Sequence, residues 1–270
     1  MKEAEFKKII WRHYRRAGRR HLPWNQTRDA YKILVSEIML QQTQVSRVLQ
    51  KYPKFLKEFP DFQTLAKAPV RRVLKAWQGM GYNRRALYLK RSAELVVKEY
   101  GGRLPKEQKE LSKLPGIGWN TAGSILASAH NLPTVFIETN IRRVFIHFFF
   151  PDRRSVPDLG LLFSIEKTLD RKNPREWYHA LMDYGAMLGR TIENPNRRSR
   201  HYVKQARFNG SKRQVRGKVL RALTQKKRVT FDELLHASES KKRALLPILD
   251  ELMREGFIEQ SKSSYTLAHD

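Results

Sequence analysis

Two carboxylates stand where carboxylates are costly. Glu37 lies inside the apolar run Tyr31-Lys-Ile-Leu-Val-Ser-Glu-Ile-Met-Leu40, and Glu138 closes the run Pro133-Thr-Val-Phe-Ile-Glu138, with Asn140 and Arg142-Arg143 just beyond. An acid in such a run is either a partly buried ion-pair partner or a carboxyl whose pKa is raised by burial, so that it delivers a proton near neutral pH. Glu138 reads equally as an acidic residue satisfying the positive end of a helix that begins near Asn140. Gln41-Gln-Thr-Gln44 follows the first acid with uncharged hydrogen-bonding side chains suited to probing base edges or filling a gap in a duplex.

The elements that must position these groups announce themselves by period and by glycine. Leu114-Pro-Gly-Ile-Gly-Trp-Asn-Thr-Ala-Gly-Ser-Ile-Leu-Ala-Ser-Ala129 joins a tight turn to an apolar helix, and a helix signal over 107–113 makes the unit helix–hairpin–helix. Gly116 and Gly118 with positive φ would let the backbone approach an anion, with Thr121 and the free N–H groups of the helix start aimed at it. The alternative is a corner that only packs. A second turn, Gly79-Met-Gly-Tyr82, sets Tyr82 beside Asn83, Arg84 and Arg85; the ring is either core or a wedge against bases, with the arginines on phosphates.

Charge narrows the partner. Lysine and arginine number 54 against 26 acidic residues, a net charge of +28, which points to a polyanion and above all to nucleic acid. A membrane surface would also attract this charge, but no apolar run approaches the roughly 20 residues that span a bilayer, and no membrane partner is expected. The amino terminus lacks the apolar core of a signal peptide, so a cytosolic location is expected. There is no cysteine, so disulfides, thiolate nucleophiles, cysteine-bound zinc and iron–sulfur clusters are excluded together, and no metal is expected.

Helices are expected over 6–16, from Asp29 as cap through Leu40, and over 46–58, 61–66, 69–77 and 84–100, with no sheet among them. Beyond them a winged helix is expected: helices over 214–225, from Asp232 and over 243–255, then short strands near 229–230, 257–258 and 265–267.

Ser36-Glu-Ile-Met-Leu-Gln-Gln-Thr-Gln-Val45, Gly79-Met-Gly-Tyr82, Leu114-Pro-Gly-Ile-Gly118 with Thr121-Ala-Gly123, Glu138-Thr-Asn-Ile-Arg-Arg-Val144 and Met182-Asp-Tyr-Gly-Ala-Met187 occur in an order and spacing that resembles the helix–hairpin–helix DNA glycosylases, over about residues 5–190. The adenine-specific branch of that family is the most similar. The resemblance implies an all-α fold of two lobes plus a small C-terminal winged helix, with a glycosylase domain over 1–190, a basic linker over 191–211 and the winged helix over 212–270. The implied partner is double-stranded DNA carrying a mispaired or damaged base that is flipped out, bound by a monomer associated with the nucleoid.

On this resemblance Glu37 protonates the adenine ring, and Glu138 stands where the family usually has an aspartate that stabilises the charge developing on the sugar. Asn140 holds the sugar and phosphate. Gln41, Gln42 and Tyr82 fill the space in the duplex, with Trp24, Asn120 and Asp183 also on the base and duplex side, while Gly116, Gly118, Thr121, Arg142 and Arg143 meet phosphates. Breaking a purine–sugar bond needs a proton on the departing base and negative charge near an oxocarbenium-like sugar, as in glycosidases. Related bifunctional glycosylases carry an amine-bearing lysine where this chain has Asn120, so base removal without strand cleavage is expected.

The departures are as specific. The family usually carries cluster-binding cysteines after Met187, whereas Thr191-Ile-Glu-Asn-Pro-Asn-Arg-Arg-Ser-Arg200 has none, so no iron–sulfur cofactor is expected; the hairpin is left as a candidate site for a monovalent cation. From Arg190 to Arg228 there are 14 basic residues against one acid, Glu193, and Arg197, Arg198, Arg213 and Arg216 are the expected phosphate contacts that replace that loop. A Nudix-like domain usual in the full-length family is not expected here, which leaves the opposite base, guanine or 8-oxoguanine, open. The rivals are a thymine or uracil mismatch glycosylase of the same fold and a non-enzymatic winged-helix DNA-binding protein.

Overall fold

The computed structural model describes residues 1–205 and 207–268. Its helices are α1 (Glu3–Ala17), α2 (Ala30–Leu40), α3 (Val45–Glu58), α4 (Phe62–Lys67), α5 (Val70–Trp77), α6 (Arg84–Glu99), α7 (Gln108–Leu111), α8 (Trp119–His130), α9 (Thr139–Phe149), α10 (Asp158–Thr168), α11 (Pro174–Thr191), α12 (Lys212–Gln225), α13 (Phe231–Ser238) and α14 (Lys242–Arg254). The strands among the described residues are β1 (Val229–Thr230), β2 (Ile258–Ser261) and β3 (Ser264–Leu267). Asp29 caps α2 as expected, its carboxylate accepting from Lys32 N–H at 3.1 Å. The helix before the hairpin is shorter than 107–113. After Leu111 the chain tightens into i→i+3 bonds, Lys113 N–H to Glu110 O (3.1 Å) and Leu114 N–H to Leu111 O (3.3 Å), ahead of Pro115, which disfavours helical geometry at the residue before it.

The chain divides into two compact units, one of Met1–Glu37 with Leu104–Lys204 and one of Ile38–Arg103 with Gln205–Asp270. In the first, α1 buries Phe6, Ile10 and Tyr14 along one face, the spacing of a helix stripe on a core. The Phe6 ring meets Phe145 at 5.3 Å, Phe149 at 4.9 Å and Trp177 at 5.9 Å, in tilted and edge-on geometries that add to burial.

The second unit departs from the expected division at 190 and 212: the C-terminal residues group with 38–103. The helices and wing themselves fall where expected, with an antiparallel sheet in the order β1-β3-β2 and a Thr230–Glu233 capping box opening α13. Polar groups join this part to α5 and α6. Gln78 Nε2 donates to Thr224 Oγ1 at 2.8 Å, Arg71 donates to the Lys226 carbonyl at 3.1 Å, and Arg84 and Arg216 share the Glu255 carboxylate.

Arg85, expected on phosphate, is a buried hub of this unit at 7% exposure. Its guanidinium donates to the carbonyls of Ile38 (2.8 Å), Met39 (2.9 Å) and Gln41 (2.6 Å), to those of Met80 (3.1 Å) and Gly81 (3.2 Å), and to Thr43 Oγ1 (3.0 Å). Burial pulls its pKa down to about 10, so it remains a cation at neutral pH. The charge is answered by carbonyl dipoles at the C-terminal end of α2 and across the 79–82 turn, where a cation is favoured. Replacing Arg85 by alanine leaves these carbonyls unpaired, and we expect a loss of about 3 kcal/mol or more. A urea-unfolding midpoint unchanged from wild type would refute that role.

Candidate active site

Helix α8 is the axis of the site. Its Asn120 Oδ1 accepts from Ile137 N–H at 3.1 Å, and Thr134 Oγ1 donates to Gly123 O at 2.8 Å, so the extended segment 133–138 is laid along the helix. Gly123 permits this: a Cβ there would lie 2.9 Å from Phe136 Cβ and 2.9 Å from Gln108 Nε2. One residue on, the buried Ser124 hydroxyl hydrogen-bonds the Glu37 carboxyl. One stretch of α8 thus holds the Glu37 carboxyl and the backbone that leads into Glu138.

Their environments differ in what answers the charge. Burial pushes Glu37 up to about 7, against an ordinary 4.5; the Ser124 hydrogen bond opposes the rise and the negative charge of Glu138 adds to it. Glu138 is also raised by burial, but the N–H groups of Ile141 and Asn140 and the guanidiniums of Arg143 and Arg142 pull the other way. Glu138 Oε1 accepts from Asn140 N–H at 2.7 Å and Ile141 N–H at 2.8 Å; it is the N-cap of α9. The helix-cap reading and the charged-group reading of Glu138 coincide, because the cap is what holds the charge. Glu138 thus has four positive or donor groups that favour its ionised form, where Glu37 has one hydroxyl.

Asn140 and Arg143 sit on α9 against two glycines of α11. A Cβ on Gly185 would lie 2.3 Å from Asn140 O, and one on Gly189 2.6 Å from Arg143 Nη1. Arg143 donates to Asn140 Oδ1 at 2.8 Å and to Gly185 O at 2.6 Å. Arg142, expected on phosphate, makes a two-point ion pair with Asp158 (3.2 and 2.7 Å).

At the hairpin Gly116 has φ +77°, as expected. Gly118 does not: it is the extended N-cap of α8, with φ −84°, and a Cβ there would meet nothing within 4 Å. Thr121 lies in the first turn of α8, where the N–H groups ahead of the first intrahelical bond, Ala122 N–H to Gly118 O at 2.9 Å, face outward.

Two expected base-side residues lie in the interior. Trp24 is 8% exposed in the Pro23–Asn25 turn, whose Asn25 carbonyl accepts from Arg175 at 2.8 Å. Asp183 is 5% exposed and is satisfied by Arg19, through Nε at 2.6 Å and N–H at 2.7 Å. The structure thus places both side chains in the interior. The basic tract is corrected in part as well. Arg198 turns onto the carbonyls of Phe150 (2.6 Å) and Arg153 (3.4 Å), and Arg216 onto Glu251 and Glu255. Arg197 pairs with Glu193 at the surface.

In the second unit Gln41 is half-buried, and Gln42 and Tyr82 carry φ of +54° and +46°, a left-handed geometry that non-glycine residues adopt at a cost. The Tyr82 hydroxyl accepts from Arg213 and Gln205, and Gln205 also donates to Gln42 Oε1 at 3.3 Å. The tyrosine is thus a held, partly exposed ring. Sequence reasoning missed Ser124, Gln205 and the tyrosine-facing role of Arg213; only Ser124 had a legible signal, next to the helix glycine. The chain has no cysteine, the 191–200 stretch offers amides, guanidiniums and hydroxyls where a cluster needs thiolates, and among the described residues no group of His, Cys, Asp and Glu is set to hold a metal ion.

The chain is similar to known proteins along most of its length. A model of the HhH-GPD superfamily of base excision DNA repair proteins matches residues 35–159. An adenine DNA glycosylase of Buchnera aphidicola subsp. Baizongia pistaciae is 37% identical over 184 residues, 68% of this chain and 52% of that protein. An adenine DNA glycosylase of Mycolicibacterium smegmatis is 33% identical over 269 residues, covering 90% of this chain and 89% of that one. A solved thermostable thymine-DNA glycosylase superposes with a TM-score of 0.61 at 28% identity, over 68% of this chain and 86% of that one. The chain spans about half the length of the Buchnera relatives it matches.

The approach of α11 to the start of α9 leaves no room for a methyl group. Gly185→Ala is expected to lower stability by about 1–3 kcal/mol through overpacking, read as a lower midpoint in denaturant. An unchanged midpoint would mean that this contact is slack.

Proposed function

Because the chain belongs to the HhH-GPD superfamily of base excision DNA repair proteins, we propose that it is an adenine DNA glycosylase. It binds double-stranded DNA as a monomer, flips out an adenine opposite guanine or 8-oxoguanine and hydrolyses its bond to the sugar. The observation that carries the reading is the split pair: Glu37 pushed up to about 7 beside Glu138, whose charge is met by the N–H groups of Asn140 and Ile141.

Glu37, protonated, gives its proton to a ring nitrogen of the adenine. The base leaves with the electron pair of the broken bond, and the sugar becomes oxocarbenium-like. Glu138 supplies fixed negative charge to that cation, and Asn140 orients the sugar and its phosphate. Water then adds to the sugar and returns a proton to the Glu37 carboxylate. Asn120 has no amine with which to form a Schiff base, and its amide is engaged with Ile137, so the strand stays intact. The outward N–H groups of the hairpin meet a phosphate. A monovalent cation there would be held by backbone carbonyls of the 114–118 turn, and no step runs through it.

The likeness to a thymine-DNA glycosylase supports a second reading, excision of a mispaired thymine. Duplexes that differ in one mispair, followed by hot alkali to reveal abasic sites, separate the two. Adenine opposite guanine or 8-oxoguanine is the expected substrate, and cleavage of thymine opposite guanine alone would favour the rival.

Two outcomes follow for Glu37. Glu37→Gln keeps the shape but has no proton to give, so single-turnover adenine release should fall about 10²- to 10⁴-fold with duplex binding retained. In the wild type, release at limiting protein should decline about tenfold per pH unit above about 7, and a profile flat to pH 9 would remove Glu37 as the acid. Folding raises this carboxyl from 4.5 to about 7, so wild-type stability is intact below 4.5 and is lost as the pH climbs through 7. Glu37→Gln escapes that loss and should be more stable than wild type at pH 8, by about 1–3 kcal/mol, with little advantage at pH 5. Equal melting temperatures at both pH values would contradict the burial of this charge.

A further inference from the structure

The stretch without cluster ligands is not slack. It runs the length of α9, and each contact lands on a part of that helix with a job. At the N-terminal end, the buried Asn196 donates through Nδ2 to the Thr139 carbonyl at 2.9 Å. One turn on, Asn194 Oδ1 accepts from Arg143 Nε at 3.1 Å, and also from Asn196 N–H at 3.2 Å. At the C-terminal end, Arg198 donates to the Phe150 carbonyl at 2.6 Å. The backbone is paired too, with Val156 N–H on Arg198 O at 2.8 Å and Arg200 N–H on Val156 O at 3.1 Å.

The geometry points to Asn194 and Asn196 as positioning residues for the chemistry, in place of a metal cluster: they fix Arg143 and Thr139, and through these the Glu138–Asn140 pair. The chain of contacts is continuous. Asn194 orients Arg143, Arg143 holds Asn140 Oδ1 at 2.8 Å, and Asn140 donates its N–H to Glu138 at 2.7 Å. Arg143 meets Asn140 and Gly185 through Nη1 and Asn194 through Nε, so loss of the amide removes the anchor of the Nε edge. Asn196 leaves its own Oδ1 buried with no donor, a cost that the contact with Thr139 accounts for and that a merely space-filling side chain would not incur. Side-chain groups do here what thiolate–metal bonds would do for a cluster loop, which is to pin a segment against α9 without a cofactor.

This inference rests on the roles of Glu138 and Asn140 given above, and its test keeps the two apart. Single-turnover adenine release and duplex affinity are measured for wild type, Asn194→Ala and Asn194→Asp, with their melting temperatures. Asn194→Ala should slow release about 10- to 100-fold, the scale of a small misplacement of a catalytic group, with duplex affinity unchanged. Asn194→Asp keeps the acceptor for Arg143 and should recover most of the rate. An alanine variant at wild-type rate, or an aspartate variant as slow as alanine, overturns the positioning role. An NMR titration of Glu138 in the free protein reads the same link without substrate. Asn194→Ala should move its midpoint upward, because a displaced Arg143 no longer favours the ionised carboxylate there, and an unmoved midpoint overturns the link. A wild type that releases no adenine from any mispair defeats the functional reading, while the titration still decides the link.

Discussion

Desolvation of two carboxylates is the constraint on which the rest of the site depends. Burial raises both Glu37 and Glu138, favouring the neutral form of each. What separates them is the supply of donors. Glu138 has two backbone N–H groups at the start of α9 and arginines nearby, whereas Glu37 has one serine hydroxyl and faces the charge of its neighbour. That difference in donors is what the proposed division between a proton-holding acid and a charged partner rests on.

Helix ends carry much of this electrostatic work. The N-terminus of α9 meets an anion, Glu138, and the C-terminal end of α2 meets a cation, Arg85, through the carbonyls of Ile38, Met39 and Gln41. Both follow the sign of the helix dipole. In each case backbone groups answer a desolvated charge, and they do not move when a neighbouring side chain changes rotamer. Glycine does the complementary steric work: Gly123 admits the 133–138 segment to α8, and Gly185 admits α9 to α11.

Much of this was legible in local signals. The Asp29 cap, the apolar helix after the hairpin, the all-helical body and the small C-terminal wing follow from period, caps and turns, and the two acids read from apolar runs lie close enough for the charge of Glu138 to raise the pKa of Glu37. What stays hidden depends on partners far along the chain. Asp183 has the type of a base-reading residue, but its partner Arg19 lies 164 residues away. Arg85 reads as a phosphate ligand because arginine is seldom buried, and its partners are carbonyls that no residue letter discloses. A Gly-x-Gly pair signals a turn without saying which glycine takes positive φ; Gly116 does and Gly118 does not. The grouping of the C-terminal helices with 38–103 rests on contacts such as Gln78 with Thr224, 146 residues apart.

The most direct measurement is the ionisation of Glu37 itself, followed by NMR in protein carrying ¹³C-labelled glutamate, for wild type and Glu138→Gln. Burial and a neighbouring anion together place the wild-type midpoint at about 7, and removing the charge at 138 should move it down while burial keeps it above the ordinary value. A wild-type midpoint near 4.5, unmoved by the substitution, would contradict the account.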